Sequence, residues 1–353
     1  MSDFTFSALS PDTILAALEQ CGIFPQSGLL ALNSYENRVY QFVSDEQQRF
    51  VVKFYRPQRW TDEQILEEHQ FSQELADAEI PIIAPCIHNG QSLHYAEQYR
   101  FALFPSAGGR QFELDNLDHL EWMGRFIGRM HKVAGSKAFA HRPTLTTESY
   151  LTRPRQTLEN SELLPDGLKT AFFTILDQVI ALTEEQYHPT SAIRLHGDCH
   201  AGNILWRDGP TFVDMDDCRM GPAVQDLWML LEGDRAAMQD QLADIVAGYE
   251  DFADFDTREL WLVEALRTLR LLHYSAWLAS RWRDPAFPAA FPWFGTARYW
   301  QDRILELREE AKEALGDKFD IRAFHDVILG SGAVPLTILE RMVNNWIAEE
   351  KAA

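Results

Sequence analysis

The residues best suited to chemistry lie in one short stretch of the chain, from Leu195 to Asp214. Asp198 is followed five residues later by Asn203, and Asp214 ends a short apolar run. This spacing of aspartate and asparagine is typical of loops that transfer phosphoryl groups, in which the aspartate accepts a hydroxyl proton and the asparagine holds magnesium. We therefore predict Asp198 as the catalytic proton acceptor, and Asn203 and Asp214 as metal ligands.

A hairpin is predicted to bring the two metal ligands together. Residues 204–206 and 211–213 form short strand candidates, and the Asp208-Gly209 pair between them favours a tight turn. A hairpin centred on that pair places Asn203 directly opposite Asp214. Opposed residues have Cβ atoms roughly 5 Å apart, so an amide oxygen and a carboxylate could share one cation.

Composition narrows the class of protein. The chain has 353 residues, of which 46% are hydrophobic and 12% aromatic, which is enough for a large core in one or two domains. A net charge of −21 argues against a nucleic-acid partner, because such binding needs clustered Lys and Arg. The four cysteines form no CxxC pair and suggest free thiols in a reducing cytosol.

Targeting and membrane segments are not expected. The first residues lack a basic region followed by an apolar run, so no signal peptide is predicted. The most apolar long helix candidate, Trp261 to Trp282, carries Glu264, Arg267, Arg270 and Arg281 and is too charged to span a membrane.

The pattern of elements predicts an α+β protein with two lobes. The first hundred residues give three strands, a helix over 62–78 and two more strands, which is the order of a kinase-type nucleotide lobe. After Pro105 a Gly-rich break leads into a mostly helical half, so we place a nucleotide-binding lobe at 1–105 and a helical lobe carrying the catalytic hairpin at 106–353. The strand and helix candidates are Gly28–Asn33, Asn37–Val43, Arg49–Tyr55, Ser92–Ala96, Tyr99–Phe104, a helix after an Asp115/Asn116 cap, and helices near 166–186, 223–231, 236–249, 257–282, 297–315 and 321–349.

Three residues of the first lobe are candidates for binding a nucleotide. Lys53 interrupts an otherwise apolar strand, where its ammonium could reach phosphates and pair with a carboxylate on the following helix. Glu68 is the favoured partner because it shares a face with the apolar stripe of Leu66, Phe71 and Leu75, and Glu67 is then expected in solvent. Ser34, in a glycine-free loop over 33–37, could donate to phosphate oxygens.

Other residues allow more than one interpretation. His196, Cys199 and His200 could form a zinc site, but we favour a role for His196 in bracing the loop backbone. Asp226 is predicted to accept hydrogen bonds from that backbone, with a plain helix N-terminal acid as the alternative. Asp216 and Asp217 are either additional metal ligands or solvated loop residues. The Pro-aromatic segment at 285–293 either covers the cleft or, as we favour, packs on the helices.

The motifs carry a family resemblance. Leu195-His196-Gly197-Asp198-x-His200-x-x-Asn203 followed by Val213-Asp214 resembles the aminoglycoside phosphotransferase and choline kinase branch of the protein-kinase-like superfamily. Within that branch, the segments Asn33–Phe42, Phe50–Pro57, Leu195–Trp206 and Asp284–Pro288 look like the stress response kinase A family of bacterial serine/threonine protein kinases. The likeness extends over nearly the whole chain and weakens in the last 50 or so residues.

The resemblance implies a monomeric, soluble, cytoplasmic kinase that uses ATP and Mg²⁺ and acts in a stress response. It implies Asp198 and Asp214 as catalytic residues, Asn203 and Asp214 as magnesium ligands, and Ser34 and Lys53 at the ATP. We expect transfer to Ser or Thr hydroxyls of proteins, including autophosphorylation. A small-molecule kinase of the aminoglycoside or choline type shares these residues and is the main alternative, and a nucleotide-binding pseudokinase is the second. Four arginines in the predicted acceptor wall, Arg267, Arg270, Arg281 and Arg283, argue against a cationic small molecule.

Overall fold

The computed structural model describes residues 5–113, 117–233 and 235–315. The described residues form two compact units, one within residues 1–145 and 189–263 and the other within residues 146–188 and 264–353. The predicted lobe boundary after Pro105 divides the chain differently and stays a prediction. Within the described ranges, no helix is long and apolar enough to cross a membrane.

The first unit begins with a short helix and an antiparallel sheet. The strands are ordered β1-β2-β3-β5-β4, so β3 lies at the centre. The predicted strands are present: the first, second and fourth are shorter than predicted, the third matches and the fifth is one residue longer, and a helix follows β3 as expected. The elements are α1 (Pro11–Gln20), β1 (Leu30–Ala31), β2 (Arg38–Val43), β3 (Arg49–Tyr55), α2 (Asp62–Asp77), β4 (His94–Ala96) and β5 (Tyr99–Pro105).

The two faces of this sheet differ in burial. Alternate residues of a strand point to opposite faces, and in β3 Val52 and Phe54 are completely buried in an apolar core. The other face carries Lys53. In the pairing of β3 with its neighbours, Lys53 is opposite Val39 and Ala102, and Val51 is opposite Phe104. Val39, Val51 and Phe104 are only partly buried, so the Lys53 face is half open.

Helix α2 starts at a capping box. The Thr61 side chain accepts from the backbone N–H of Gln64, whose side chain accepts from the Thr61 N–H. The prediction that Leu66 belongs to the apolar stripe is wrong, since Leu66 is 46% exposed. The buried stripe consists of Ile65, Phe71 and Leu75, together with the polar residues Glu68, His69 and Ser72.

The remainder of the first unit combines helices with two small sheets. Helices α3 (Leu117–Ala134) and α7 (Arg235–Glu250) cross closely at glycines. A Cβ on Gly124 would lie 1.9 Å from the carbonyl oxygen of Ile245, and one on Gly248 would lie 2.0 Å from that of Glu121. The Asp115/Asn116 cap predicted for α3 lies outside the described residues. The elements are β6 (Arg110–Gln111), α3 (Leu117–Ala134), β7 (Ile193–Leu195), β8 (Ile204–Trp206), β9 (Pro210–Phe212), β10 (Arg219–Gly221), α6 (Gln225–Trp228) and α7 (Arg235–Glu250).

The predicted register of the β8–β9 hairpin is wrong by one residue. Ile204 pairs with Phe212 and Trp206 with Pro210, around a three-residue loop closed by a hydrogen bond from the Arg207 N–H to the Gly209 carbonyl. A loop with an odd number of residues shifts the pairing by one. Asn203 is therefore bonded to Val213, whose N–H donates to the Asn203 carbonyl at 3.0 Å, and Asp214 lies one residue beyond the predicted position.

The described part of the second unit, residues 146–188 and 264–315, is helical. Trp300 is completely buried against Phe172, and its indole N–H donates to the Leu163 carbonyl. In the Pro-aromatic segment, Phe287 and Phe291 pack on Trp277, which confirms the interpretation of that segment as packed on helices. The predicted helix over 321–349 lies outside the described residues. The helices are α4 (Arg153–Glu159), α5 (Asp166–Gln186), α8 (Val263–Arg281), α9 (Ala286–Ala290) and α10 (Ala297–Leu315).

Candidate active site

Lys53 is the centre of a cluster of charged side chains. Its Nζ lies 3.3 Å from Glu68 Oε1 and 3.4 Å from carboxylate oxygens of both Asp214 and Asp216. Lys53, Glu68 and Asp216 are almost completely buried, whereas the Asp214 side chain is 49% exposed. The structure thus brings the predicted nucleotide lysine, its predicted carboxylate partner and a predicted metal ligand into one site.

The charges in this cluster stabilise one another. Burial by itself lowers the pKa of Lys53, but the surrounding carboxylates, Glu68 above all, outweigh it and raise that pKa well above its ordinary value. Burial raises the pKa of the Glu68 carboxyl, while Lys53 opposes that shift. Burial also acts to raise the pKa of Asp216, but Arg59 and Lys53 hold it below the ordinary value. Lys53 therefore keeps its charge in the fold.

Glu67, next to the Lys53 partner, is not the solvated residue that was expected. Its carboxylate accepts hydrogen bonds from the backbone N–H groups of Ala140, His141 and Arg142. These bonds fix helix α2 to the segment after α3. The contact joins residues more than 70 positions apart, and no local pattern in the sequence indicates it.

The loop that carries Asp198 is fixed by a buried carboxylate. Asp226, completely buried at the start of α6, accepts from the backbone N–H of His196 at 2.8 Å and of Gly197 at 2.9 Å. This confirms the predicted role of Asp226. Gly197 has a φ of +85°, and a Cβ there would lie 2.2 Å from the Asp217 carbonyl oxygen, so only glycine fits.

Two histidines support the same loop. His131 on α3 bridges Asp226 and Tyr249, with ring nitrogens 3.0 Å from Asp226 Oδ2 and 3.1 Å from the Tyr249 hydroxyl. His196 Nε2 lies 3.0 Å from the Val213 carbonyl, which ties the Asp198 loop to the strand that leads into Asp214. The predicted bracing role of His196 is confirmed.

Asp198 and Asn203 meet within the loop itself. Asn203 Nδ2 donates to the Asp198 carbonyl at 3.0 Å and lies 3.4 Å from Asp198 Oδ2. His200 Nε2 is also 3.4 Å from Asp198 Oδ2, while its Nδ1 accepts from the Gly202 N–H. The Asp198 side chain keeps 26% of its surface exposed and is therefore accessible from outside the loop.

Asp214 adopts an unusual backbone conformation. Its φ of +61° and ψ of +67° lie in the left-handed region, which aspartate enters more readily than most residues. The chain turns sharply there and continues into a 3-10 turn at Met215–Asp217. This turn leaves the Asp214 carboxylate beside Lys53.

The oxygen ligands of this site suit magnesium. Asn203 uses its amide N–H groups within the loop, so its Oδ1 is the atom available to a cation, and Asp214 offers a half-exposed carboxylate. In the described part of the chain, no group of three or more His, Cys, Asp or Glu side chains could hold a metal ion. One amide and one carboxylate are compatible with a Mg²⁺ site in which water and phosphate oxygens would supply the other ligands.

The sequence matches a protein family over most of this region. Residues 29–261 match the family described as phosphotransferase enzyme family, and this range includes every predicted site residue. The chain belongs to this phosphotransferase family. It is therefore an enzyme of the phosphotransferase class. A second match, to a bacterial protein family of unknown function, covers only residues 301–343 and carries no argument.

Relatives of the phosphotransferase carry kinase names. The chain is 54% identical over 312 residues to stress response kinase A of Escherichia coli (strain K12), covering 88% of this chain and 95% of the relative. It is 52% identical over 310 residues to the serine/threonine protein kinase RdoA of Salmonella typhimurium, covering 88% and 94%. The predicted kinase relationship is confirmed.

Solved structures show the same fold. The amicoumacin kinase hAmiN, solved with AMP-PNP and Ca²⁺, superposes with a TM-score of 0.69 at 18% identity and covers 91% of this chain and 98% of its own. A microcompartment-associated aminopropanol kinase superposes with a TM-score of 0.65 at 18% identity, covering 86% and 96%. The predicted fold class, α+β and protein-kinase-like, is confirmed.

In this phosphotransferase, arginines hold the segment after Asp214. Arg59 forms ion pairs with Asp216 and Asp217, and Arg219 Nη2 lies 2.6 Å from Asp217 Oδ1. Arg142 donates to the carbonyls of Asp216 and Cys218. Asp216 and Asp217 are thus engaged with arginines and are not solvated loop residues, while their alternative role as additional metal ligands stays a prediction. In the sequence, the two adjacent acids Asp216 and Asp217 were the feature that could have indicated these ion pairs.

The loop over 33–37 is held in a similar way. Ser34 is half-buried within it, and the Asn37 side chain donates to Asp216 Oδ2 at 3.1 Å. The backbone carbonyls of Tyr35 and Glu36 accept from the Arg56 guanidinium. The loop is therefore connected to the segment after Asp214, although it contains no glycine.

Proposed function

We propose that this phosphotransferase transfers the γ-phosphoryl group of ATP to Ser or Thr hydroxyls of proteins, with Mg²⁺ as the metal. The contact of Lys53 with both Glu68 and Asp214 carries the proposal. It places a fixed positive charge beside a candidate metal ligand, and positioning plus charge stabilisation is what phosphoryl transfer needs from a protein.

The half-open face of the N-terminal sheet is the proposed nucleotide site. Its apolar residues Val39, Val51 and Phe104 offer a surface for the base, and Lys53 on the same face reaches the phosphates. Ser34 in the neighbouring loop donates to a phosphate oxygen. This arrangement supports the proposal of a nucleotide lobe at 1–105 and a catalytic lobe at 106–353.

Asp198 and the two metal ligands act on the other side of the phosphates. Asp198 accepts the proton of the attacking hydroxyl, and its loop is rigid because Asp226 holds the backbone N–H groups of His196 and Gly197. Asn203 and Asp214 would hold Mg²⁺, which neutralises charge on the phosphates when it is bound. Asp214 is a catalytic residue in the sense that it would hold this ion.

A protein acceptor is favoured by the relatives. The two named above are a stress response kinase and a serine/threonine protein kinase, at 54% and 52% identity. The two solved kinases with small-molecule names are only 18% identical and bear on the fold alone. In helix α8, Arg267 is exposed and pairs with Glu264, and the role of this helix as an acceptor wall stays a prediction.

Further parts of the proposal rest on the name of the Escherichia coli relative, for the stress response, and otherwise on the family resemblance of the sequence motifs. We propose a role in a bacterial stress response, autophosphorylation, a cytoplasmic location and a monomeric state. None of these follows from the geometry of the site.

A transfer assay with labelled ATP tests the acceptor class. We expect Mg²⁺-dependent label on protein Ser or Thr and no turnover of aminoglycosides, choline or amino alcohols. Asp198→Asn is the control, because it removes the proposed proton acceptor without removing Lys53 or the proposed metal ligands. We expect transfer activity to fall by at least about a thousandfold, with ATP binding and thermal stability retained.

Rapid labelling of a small molecule, with none on protein, would support the small-molecule kinase instead. ATP binding without any turnover would support the pseudokinase.

A further inference from the structure

The loop over 33–37 has to approach phosphate oxygens without the glycines that usually allow it. Glycine-rich loops do so because they lack side chains and adopt many backbone conformations. The sequence here is Asn33-Ser34-Tyr35-Glu36-Asn37. Some other feature must set the direction of its peptide groups.

Arg56 sets that direction. Its guanidinium is completely buried and donates from Nη2 to the Tyr35 carbonyl at 2.9 Å and from Nε to the Glu36 carbonyl at 2.8 Å. Arg38 adds a bond to the same Tyr35 carbonyl at 3.1 Å. In a planar trans peptide the N–H points opposite to the C=O. The N–H groups of Glu36 and Asn37 are therefore turned away from Arg56.

Asn37 connects the loop to the segment after Asp214. Its Oδ1 accepts from the backbone N–H of Arg56 at 3.1 Å, and its Nδ2 donates to Asp216 Oδ2 at 3.1 Å. Asp216 in turn lies 3.4 Å from Lys53 Nζ. The loop is thus fixed relative to the lysine and to the candidate metal ligand by one buried amide side chain.

We propose that Arg56 and Asn37 are positioning residues for the nucleotide phosphates. Arg56 orients the loop peptides so that their N–H groups face the phosphates, and Asn37 holds the loop at a fixed distance from Lys53 and Asp214. The inference rests on the proposed function, since it requires ATP at this site. It assigns to a buried arginine the role that glycines have in other phosphate-binding loops.

Calorimetric titration of ATP and of adenosine separates this role from a purely structural one. Lysine keeps the charge of Arg56 but lacks the planar fork that serves two carbonyls. We expect Arg56→Lys to weaken ATP binding about tenfold and adenosine binding by less than about twofold, because only ATP carries phosphates for the loop. Equal weakening of both ligands, or of neither, would overturn the proposal.

Arg194→Lys is the matched control. Arg194 is also buried and donates to two backbone carbonyls, those of Val133 and Ala134, away from the loop. We expect it to lower the melting temperature and to leave the ratio of the two dissociation constants unchanged. A change in that ratio equal to the change caused by Arg56→Lys would count against the proposal.

Asn37→Ala keeps the test decisive if Arg56→Lys does not fold. It removes the bonds to Arg56 and Asp216 with a small change in volume, and we expect the same selective loss of ATP binding. An unchanged ratio in Asn37→Ala would overturn the role of Asn37. Failure of the proposed function itself has a different signature: wild-type protein would bind ATP no more tightly than adenosine, whatever the variants do.

Discussion

Two segments of the site, the loop around Asp198 and the segment after Asp214, are held in place by opposite means. A single buried carboxylate, Asp226, holds the first through two backbone N–H groups. Arginines hold the second: Arg142 binds its backbone carbonyls, and Arg59 and Arg219 bind its acidic side chains. The main anchor of the first segment is an acceptor, to which Gln225 adds one bond by donating to the Gly197 carbonyl, whereas the anchors of the second segment are donors.

The difference matches the proposed tasks of the two segments. Asp198 must keep one geometry toward the substrate hydroxyl, and bonds to its own loop backbone give that rigidity. Asp214 would exchange its contact with Lys53 for a contact with a metal cation, and its side chain is 49% exposed. Ion pairs between side chains can rearrange when a charged ligand enters the site. We therefore expect changes around Asp226 to affect the chemical step and changes around Arg142 to affect the metal.

Among the variants that bear on this comparison, the largest effect is expected from the proposed metal ligands. Asp214→Ala should lower kcat/KM about a thousandfold and Asn203→Ala about a hundredfold, with a raised magnesium requirement in both. The double variant should lose little beyond Asp214→Ala, because groups that act together on one ion are not additive. Steady-state rates over a magnesium series measure this. Fully additive losses would show that the two side chains do not share an ion.

A smaller loss is expected from Asp226→Asn. The amide keeps one acceptor but presents N–H groups where backbone or His131 donors now bind, which should lower the free energy of unfolding by about 3 kcal/mol and kcat about a hundredfold. The magnesium requirement should not change, because the Asp214 segment keeps its arginines. Denaturant unfolding and kinetics at several magnesium concentrations measure both quantities.

Asp256→Asn is the control for Asp226→Asn. Asp256 also accepts a backbone N–H, that of Arg258, but does so at an exposed turn. It should leave the kinetics unchanged. If Asp226→Asn raised the magnesium requirement as much as it lowered kcat, the two segments would not be independent.

The reverse pattern is expected from Arg142→Lys. Arg142 is buried, stacks 4.1 Å from the Trp60 ring and binds the carbonyls of Asp216 and Cys218. Lysine cannot serve both carbonyls at once. The magnesium requirement should rise about tenfold, while kcat at saturating magnesium falls by less than about threefold. A fall in kcat with an unchanged magnesium requirement would contradict the comparison.

The difference between local patterns and long-range contacts explains which features of the structure could be predicted from the sequence. The strands β2 and β3, the helices α2, α5 and α10, and the pairing of Lys53 with Glu68 follow from local periodicity and spacing. The hairpin register was wrong because a three-residue loop and a two-residue loop both suit the Asp208-Gly209 pair. The contacts of Glu67 and Arg142 could not be predicted, since they join side chains to backbone groups more than 70 residues away. The left-handed Asp214 also leaves no sequence pattern, because any aspartate could adopt it.

The smallest effect on activity is expected from a change at His69, which holds helix α2 through hydrogen bonds without carrying a charge. His69 on α2 is buried between the Tyr55 hydroxyl at 2.8 Å and Ser92 Oγ at 2.9 Å. Burial, followed by the repulsion of Lys53 and Arg142, lowers the pKa of His69 to about 3. The unfolded chain, with an ordinary histidine pKa of about 6.5, therefore binds more protons between pH 3 and 6.5. The contribution of His69 to the free energy of unfolding is therefore fully present above pH 6.5. It is lost as the pH falls through the range, by about 2 kcal/mol at pH 5.

His69→Gln should remove this pH dependence, because glutamine can still donate and accept toward Tyr55 and Ser92 but does not titrate. The measurement is the free energy of unfolding at pH 5 and pH 7.5 for wild type, His69→Gln and the exposed control His188→Gln. The difference between the two pH values should shrink by about 2 kcal/mol in His69→Gln alone, with transfer activity at pH 7.5 nearly unchanged. An equal pH dependence in wild type and His69→Gln would mean that His69 takes up a proton within the fold. Helix α2, which carries Glu68, would then be held in place by a charged side chain, as the Asp214 segment is.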